Sequence, residues 1–164
     1  MRYRYFYSAV CCFLLLSFCL KAQPAKMPAG EFNAGYSFLD QGQSTFNEHG
    51  FQIGLTANAN PWFAVEGQFD AWISGDHDAY AITGGPRFSW RTRHVTPYVH
   101  FLVGGVISRL AGNTEGDFAL KYGLGVDIAI TRHFSWRVEG NDVVLVRPEK
   151  HYFQLSTGMV YRWY

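Results

Sequence analysis

Three groups of residues in this sequence could do chemistry. Asp76, His77 and Asp78 place two carboxylates and an imidazole in a row, a donor set able to meet a divalent cation. His133 and Ser135 flank Phe134; in a strand they share a face, the spacing at which an imidazole could activate a hydroxyl nucleophile. The third group is dispersed: Glu31, Glu66, Asp70, Arg87, Arg91, Lys121, Asp127, Arg137, Glu139 and Arg162 are five acids and five bases, each set among apolar neighbours. Such charges need one another, because a buried unpaired charge costs on the order of several kcal/mol. The first two groups have plain alternatives. Acids at a loop tip are ordinarily solvated, and no acid follows His133 to orient its ring. The sequence therefore assigns no catalytic residue, no metal ligand and no cofactor.

The elements that must position these residues have a period of two. From Phe118 to Thr131, the residues Phe118, Leu120, Tyr122, Leu124, Val126, Ile128 and Ile130 take one face, and Lys121, Gly123, Gly125 and Asp127 lie among those on the other. An ordinary strand runs about 5–6 residues, whereas a tilted strand that spans a bilayer needs about 9–11. The same alternation predicts strands near 31–39, 50–58, 63–73, 80–91, 98–108, 134–146 and 153–163, which with 118–131 makes eight. Pro86 falls mid-strand and predicts a bulge, since proline cannot donate to a ladder. A second bulge is expected where the alternation slips at Asn141 and Asp142.

The chain has 164 residues, 48% hydrophobic, 18% aromatic and 16% charged, with a mean hydropathy of -0.08. That balance excludes a disordered tail and a helical membrane protein, and the length suits one domain. Residues 1–22 read as a cleaved signal peptide: Arg2 and Arg4 start it, Phe6 to Leu20 is its apolar stretch, and small residues follow. Cleavage at Cys19 as a lipoprotein is disfavoured by Phe18, which stands where a small residue is needed. Residues 23–29 form a short periplasmic leader and 30–164 the folded domain. All three cysteines, Cys11, Cys12 and Cys19, leave with the signal. So do Arg2, Arg4 and Lys21, which leaves 11 bases against 13 acids and a net charge of -2. No basic face remains for a nucleic acid.

Aromatic residues bracket the apolar faces. Trp62, Phe63, Trp90, Phe134, Trp136, Tyr161 and Trp163 flank one set of turns, and Tyr36, Phe38, Phe51, Tyr80, Phe118 and Phe153 flank the other. Two such girdles around a band of Val, Ile, Leu, Ala and Gly mark a surface that faces lipid. With the amino end in the periplasm, short turns fall at 58–61, 92–95 and 131–133, and longer outer loops at 40–49, 74–79, 110–117 and 147–151. Acids collect on the outer side (Asp40, Glu48, Asp76, Asp78, Glu115, Asp117), and Arg93, His94, Arg132 and His133 on the inner.

The stretches Gly50 to Gly67, Gly85 to Arg91 with Thr96 to His100, and Gly123 to Val138 resemble the small outer-membrane β-barrel proteins grouped with the OmpA-like transmembrane domain and OmpX, a porin-like family. The resemblance covers roughly residues 30–164. Met159, Tyr161, Trp163 and Tyr164 look like its carboxyl-terminal membrane-insertion signal. It implies an all-β fold, an eight-stranded antiparallel up-and-down transmembrane barrel in the outer membrane of a Gram-negative-type bacterium. Its expected partners are outer-membrane lipid, lipopolysaccharide, and during biogenesis the barrel-assembly machinery and periplasmic chaperones. It is expected to be a monomer and not an enzyme.

A barrel of eight strands is filled by side chains, so Glu66, Asp70, Asp127 and Glu139 are expected to pair with Arg87, Lys121, Arg137 and Arg162 inside it. The expected role is structural or surface-interacting. A narrow ion or small-solute channel is the alternative, followed by a lipid A-modifying barrel enzyme or a soluble ligand-binding barrel. His133 and Ser135 sit at the periplasmic end, the wrong one for lipid A chemistry. Loop acids such as Asp76 and Asp78 are expected to bind divalent cations that bridge lipopolysaccharide phosphates.

Overall fold

Sustained alternation produces long strands. The computed structural model describes residues 27–40, 48–74, 77–110, 113–146 and 149–164. The strands are β1 (Gly30–Asp40), β2 (Glu48–Asn58), β3 (Phe63–Ser74), β4 (His77–Ser89), β5 (Val95–Leu110), β6 (Asn113–Ala129), β7 (Phe134–Val146) and β8 (Glu149–Trp163). Each pairs with the next, and β1 closes on β8 to complete a barrel. All eight ladders are antiparallel. The signal peptide, most of the leader, Asp76 and residues 41–47 lie outside the described residues.

Closure fixes the tilt. A path across the sheet runs from Gly30 to Ala57, Val65 and Pro86. Pro86 stands opposite Phe101 in the unbroken β4–β5 register, and the path continues through Tyr122, Asp142 and Phe153 to Asp40. It returns to β1 ten residues above its start. A stagger of ten across eight strands tilts them about 40° from the barrel axis. Two approaches along the wall require the absence of a side chain. Gly35 faces Gly158 across the β1–β8 ladder, where a Cβ on either would strike the opposing backbone. On β6, Gly125 lies under the ring of Tyr98, which a Cβ would displace.

Neither expected bulge is present. The β3–β4 register is constant through Pro86, which pairs with Val65. Toward β5, the same register holds on both sides of Gly85 and Pro86, so proline, lacking an N–H, sits in line without an inserted residue. Register is equally constant through Asn141 and Asp142. What changes there is residue type, not phase: Asn141 is buried inside, and Asp142 points outward. Its carboxylate accepts a hydrogen bond from Tyr122 Oη at 2.5 Å and meets His151 Nδ1 at 3.0 Å.

The outer connections also differ from expectation. Strands continue to Ser74, Leu110 and Val146 and resume at His77, Asn113 and Glu149, so much of the expected loops 74–79, 110–117 and 147–151 is strand. Hairpin pairing satisfies the backbone there without needing a face for lipid, and a polarity pattern alone does not register it. The inner turns are 59–62, 90–94 and 130–133. Asn60 Oδ1 accepts from the N–H groups of Trp62 and Phe63, and Thr131 Oγ1 from those of His133 and Phe134.

Outward residues form an apolar wall in which Leu55, Ile82 and Leu124 are 59%, 68% and 64% exposed. At its inner edge Trp62, Trp90, Phe134 and Trp136 are exposed, and Trp62 stacks on Phe88 while Phe63 tilts against it. Met159, Tyr161 and Trp163 project outward from β8, with Tyr161 packed on Phe134. Tyr164 lies just past the strand, its Oη donating to the Arg132 carbonyl at 3.1 Å.

Candidate functional site

The inward phase of each strand delivers the polar residues to one place. Glu31, Glu66, Asp70, Arg87, Lys121, Asp127, Arg137, Glu139 and Arg162 are all buried in the lumen, and the Arg91 side chain is 6% exposed. They stack in three tiers from the inner end outward.

The lowest tier is built on Asp127 and Glu31. Arg137 Nε donates to Asp127 Oδ1 at 2.7 Å and its Nη2 to Oδ2 at 3.0 Å. Arg87 Nη2 reaches the same Oδ2 at 3.0 Å, and Arg162 Nη2 at 3.3 Å. Glu31 meets Arg91 at 2.9 Å, Arg87 at 3.3 Å and Arg137 at 3.4 Å. The mutual repulsion of the Arg87 and Arg137 guanidinium groups is offset by Asp127 and Glu31, which meet both, and by the ring of Tyr98, which lies against both. Its centroid is 3.7 Å from the Arg87 guanidinium carbon and 4.8 Å from that of Arg137. Gly125 leaves the space that the ring occupies.

Glu66, His100 and Glu139 make the middle tier. Arg137 Nη1 donates to Glu66 Oε1 at 3.2 Å. The His100 ring spans Glu66 Oε2 at 3.0 Å and Asn141 Oδ1 at 2.9 Å. Glu139 accepts from the Tyr98 hydroxyl, from Asn141 Nδ2 at 2.7 Å and from Gln52 Nε2 at 3.2 Å. One carboxylate of the expected pairing is thus held by neutral donors, with no Lys or Arg within ion-pair distance among the described residues. Ligand atoms of Glu66, His100 and Glu139 lie within 4.8 Å of one another, but these atoms are already engaged with Arg137, Tyr98 and Asn141.

In the third tier Lys121 Nζ meets Asp70 Oδ2 at 3.0 Å, and Gln154 Nε2 donates to Asp70 Oδ1 at 2.8 Å and to Ser37 Oγ at 2.7 Å. Trp72 Nε1 also donates to Ser37 Oγ, at 3.1 Å. Above this Leu39, Trp72 and Ala81 pack together with Ala79, Val106 and Tyr152, and Glu48, expected among the acids of the outer loops, is buried at the same end as the first residue of β2. Ion pairs thus fill the lumen below, and mainly apolar side chains fill it above.

The residues outside this network are placed differently. His133 Nδ1 meets the Arg162 carbonyl at 3.0 Å, and the ring lies against Tyr161 and Tyr164. Ser135 is buried on the inward face of β7, so the two are not brought into a nucleophile–base contact. Of the buried partners, Tyr98, His100 and Gln52 were not singled out by the sequence, and Asn141 was marked only as the place of a bulge. Tyr98 and His100 share the inward phase of β5, which is the signal that marks them.

Tilted strands, two aromatic edges, an apolar wall and a charge-filled lumen define a small transmembrane β-barrel. Residues 10–160 match the family model for the outer membrane protein beta-barrel domain, and the chain belongs to that family. Its fold is similar to that of the attachment invasion locus protein Ail of Yersinia pestis, 21% identical with a TM-score of 0.59 over 84% of this chain and 100% of that one. It is also similar to OprG of Pseudomonas aeruginosa, 10% identical with a TM-score of 0.67 over 88% and 100%. The outer membrane enzyme PagL shares the fold at 12% identity and a TM-score of 0.53, over 79% and 98%. Curated protein sequences give no match.

Proposed function

We propose that this outer-membrane barrel is a closed, non-catalytic scaffold that presents its outer end for surface interaction. The filled lumen carries this reading: Arg87 and Arg137 bridge to Asp127 at 3.0 and 2.7 Å in the lowest tier, and Leu39, Trp72 and Ala81 pack together toward the outer end. Similarity in fold to a protein named for attachment and invasion is in keeping with it. Similarity to PagL means that fold alone does not separate scaffold from enzyme. The separation from Ser135 of the His133 ring, which meets a backbone carbonyl, supports the non-catalytic choice.

In this reading residues 1–22 direct export and are removed, 23–29 form a periplasmic leader, and the monomeric barrel 30–164 reaches a Gram-negative outer membrane with the help of chaperones and the assembly machinery. Lipid and lipopolysaccharide surround it. Outer-membrane fractionation combined with the heat-modifiable gel shift tests placement and folding. Planar-bilayer recording tests closure: the intact barrel is expected to pass no resolved current, and steady unitary steps would replace the scaffold by the narrow channel.

A further inference from the structure

Inside the lumen acids and bases nearly balance: Glu31, Glu48, Glu66, Asp70, Asp127 and Glu139 stand against Arg87, Arg91, Lys121, Arg137 and Arg162. The inner mouth does not balance. A cavity of about 480 Å³ opens there between the turns 90–94 and 130–133, and Arg91, Arg93, His94, Arg132 and Arg162 line it, with no Asp or Glu among the described residues of its walls. Arg91 and Arg162 form its floor and are tied from behind to Glu31 and Asp127. Arg93 and Arg132 stand exposed at the rim and make no ion pair among the described residues. These two cations leave the mouth positive.

The rim is held in place. The Arg132 guanidinium lies over the Tyr164 ring at 5.0 Å, the Tyr164 hydroxyl bonds the Arg132 carbonyl, and the ring edge of His133 packs on Tyr164. Thr92 Oγ1 accepts from the Val95 N–H at 3.1 Å and fixes the opposite turn. From Met1 to Ala29 the sequence contains no Asp or Glu.

We propose that this mouth is a phosphate-binding site whose ligand is a phosphate ester, either the headgroup of an anionic phospholipid in the inner leaflet or a soluble phosphate monoester. Arginine forks match phosphate oxygens in geometry as well as charge, and the cavity lies in the size range of small-molecule sites, roughly 300–1,000 Å³. The floor arginines add positive field without leaving their carboxylates, and the rim arginines close on the anion. The proposal rests on the inner end facing the periplasm only for the source of the ligand, not for the binding itself.

The test uses the full mature chain, folded in zwitterionic detergent and in nanodiscs containing phosphatidylethanolamine with or without phosphatidylglycerol. Glycerol 3-phosphate is titrated calorimetrically into the detergent sample, and lipid retention from the nanodiscs is read by native mass spectrometry. The Arg93→Ser/Arg132→Ser double variant is expected to lose at least tenfold in binding, with the heat-modifiable gel shift unchanged. Lys150→Ser, which removes an exposed charge at the outer end, is expected to bind as the parent does. Binding of both ligands assigns recognition to the phosphate alone; binding of phosphatidylglycerol alone assigns it to the lipid headgroup. Absence of both, or binding unchanged in the double variant, overturns the proposal. Current in a planar bilayer is measured on the same samples, so a failure of the closed-scaffold reading is seen separately.

Discussion

At the outer end of the lumen Leu39, Trp72 and Ala81 fill the barrel by apolar contact; at the inner end Asp127 and Glu31 both gather Arg87, Arg137 and Arg162. The outer closure is made of many small and nondirectional contacts, so a lost side chain leaves a void and its neighbours relax into it. The inner closure is a shared set of charges in which each carboxylate serves several guanidinium groups, and removing one member leaves others buried without a partner. The outer end therefore tolerates change by degrees, and the inner end does not.

The largest effect is expected from breaking the inner set. Asp127→Ala leaves three buried arginines short of a common carboxylate and is expected to cost about 3–5 kcal/mol, read as a fall in the urea midpoint of folded barrel in lipid vesicles. A midpoint within error of the parent would mean the tier is hydrated and the comparison wrong. Arg137→Leu is expected to lower the melting temperature of the folded gel band for the same reason. Between the ends, Leu124 is 64% exposed on the wall; Leu124→Arg is expected to cost about 2–4 kcal/mol in vesicles if the midplane lies there. Little change would place that position outside the bilayer. At the outer end Leu39→Ala is expected to cost about 2–3 kcal/mol with no current in planar bilayers, because the ionic tiers below still close the lumen. The smallest effect belongs to Tyr98→Phe, which keeps the ring against Arg87 and removes one hydrogen bond to Glu139. The expected loss is about 1–3 kcal/mol, and a larger one would show that the middle tier is as tightly coupled as the lowest.

Alternation made the wall and the inward phase legible, because each strand keeps one face to lipid over its whole span. Hence the ten charges could be placed on one face from the sequence. Their partners could not. The contact of Arg137 with Glu31 joins positions 106 apart, and that of Gln154 with Asp70 joins positions 84 apart; both cross the lumen between strands that are not paired. Tyr98 and His100 were obscured because Leu102 continues their face as an apolar residue, so β5 reads as apolar on both sides. Asn113 to Asp117 read as a loop because they are polar, yet they pair with Val106 to Leu110: a ladder above the membrane needs backbone partners rather than an apolar face.

The ladder between β1 and β8 carries a consequence for how the molecule comes together. Ser37 and Gln154, hydrogen-bonded across it, are 117 positions apart, while the other seven ladders link strands that are neighbours in sequence. Closing so long a loop is entropically slow compared with making hairpins, so the curved sheet forms before its two margins meet. During that interval both margins offer unpaired N–H and C=O groups to any other extended chain. A longer-lived unclosed sheet is therefore expected to lose more material to aggregates. Slowing or speeding this last joining through Gly35 and Gly158, where the two strands meet without side chains, would change yield before it changed the product.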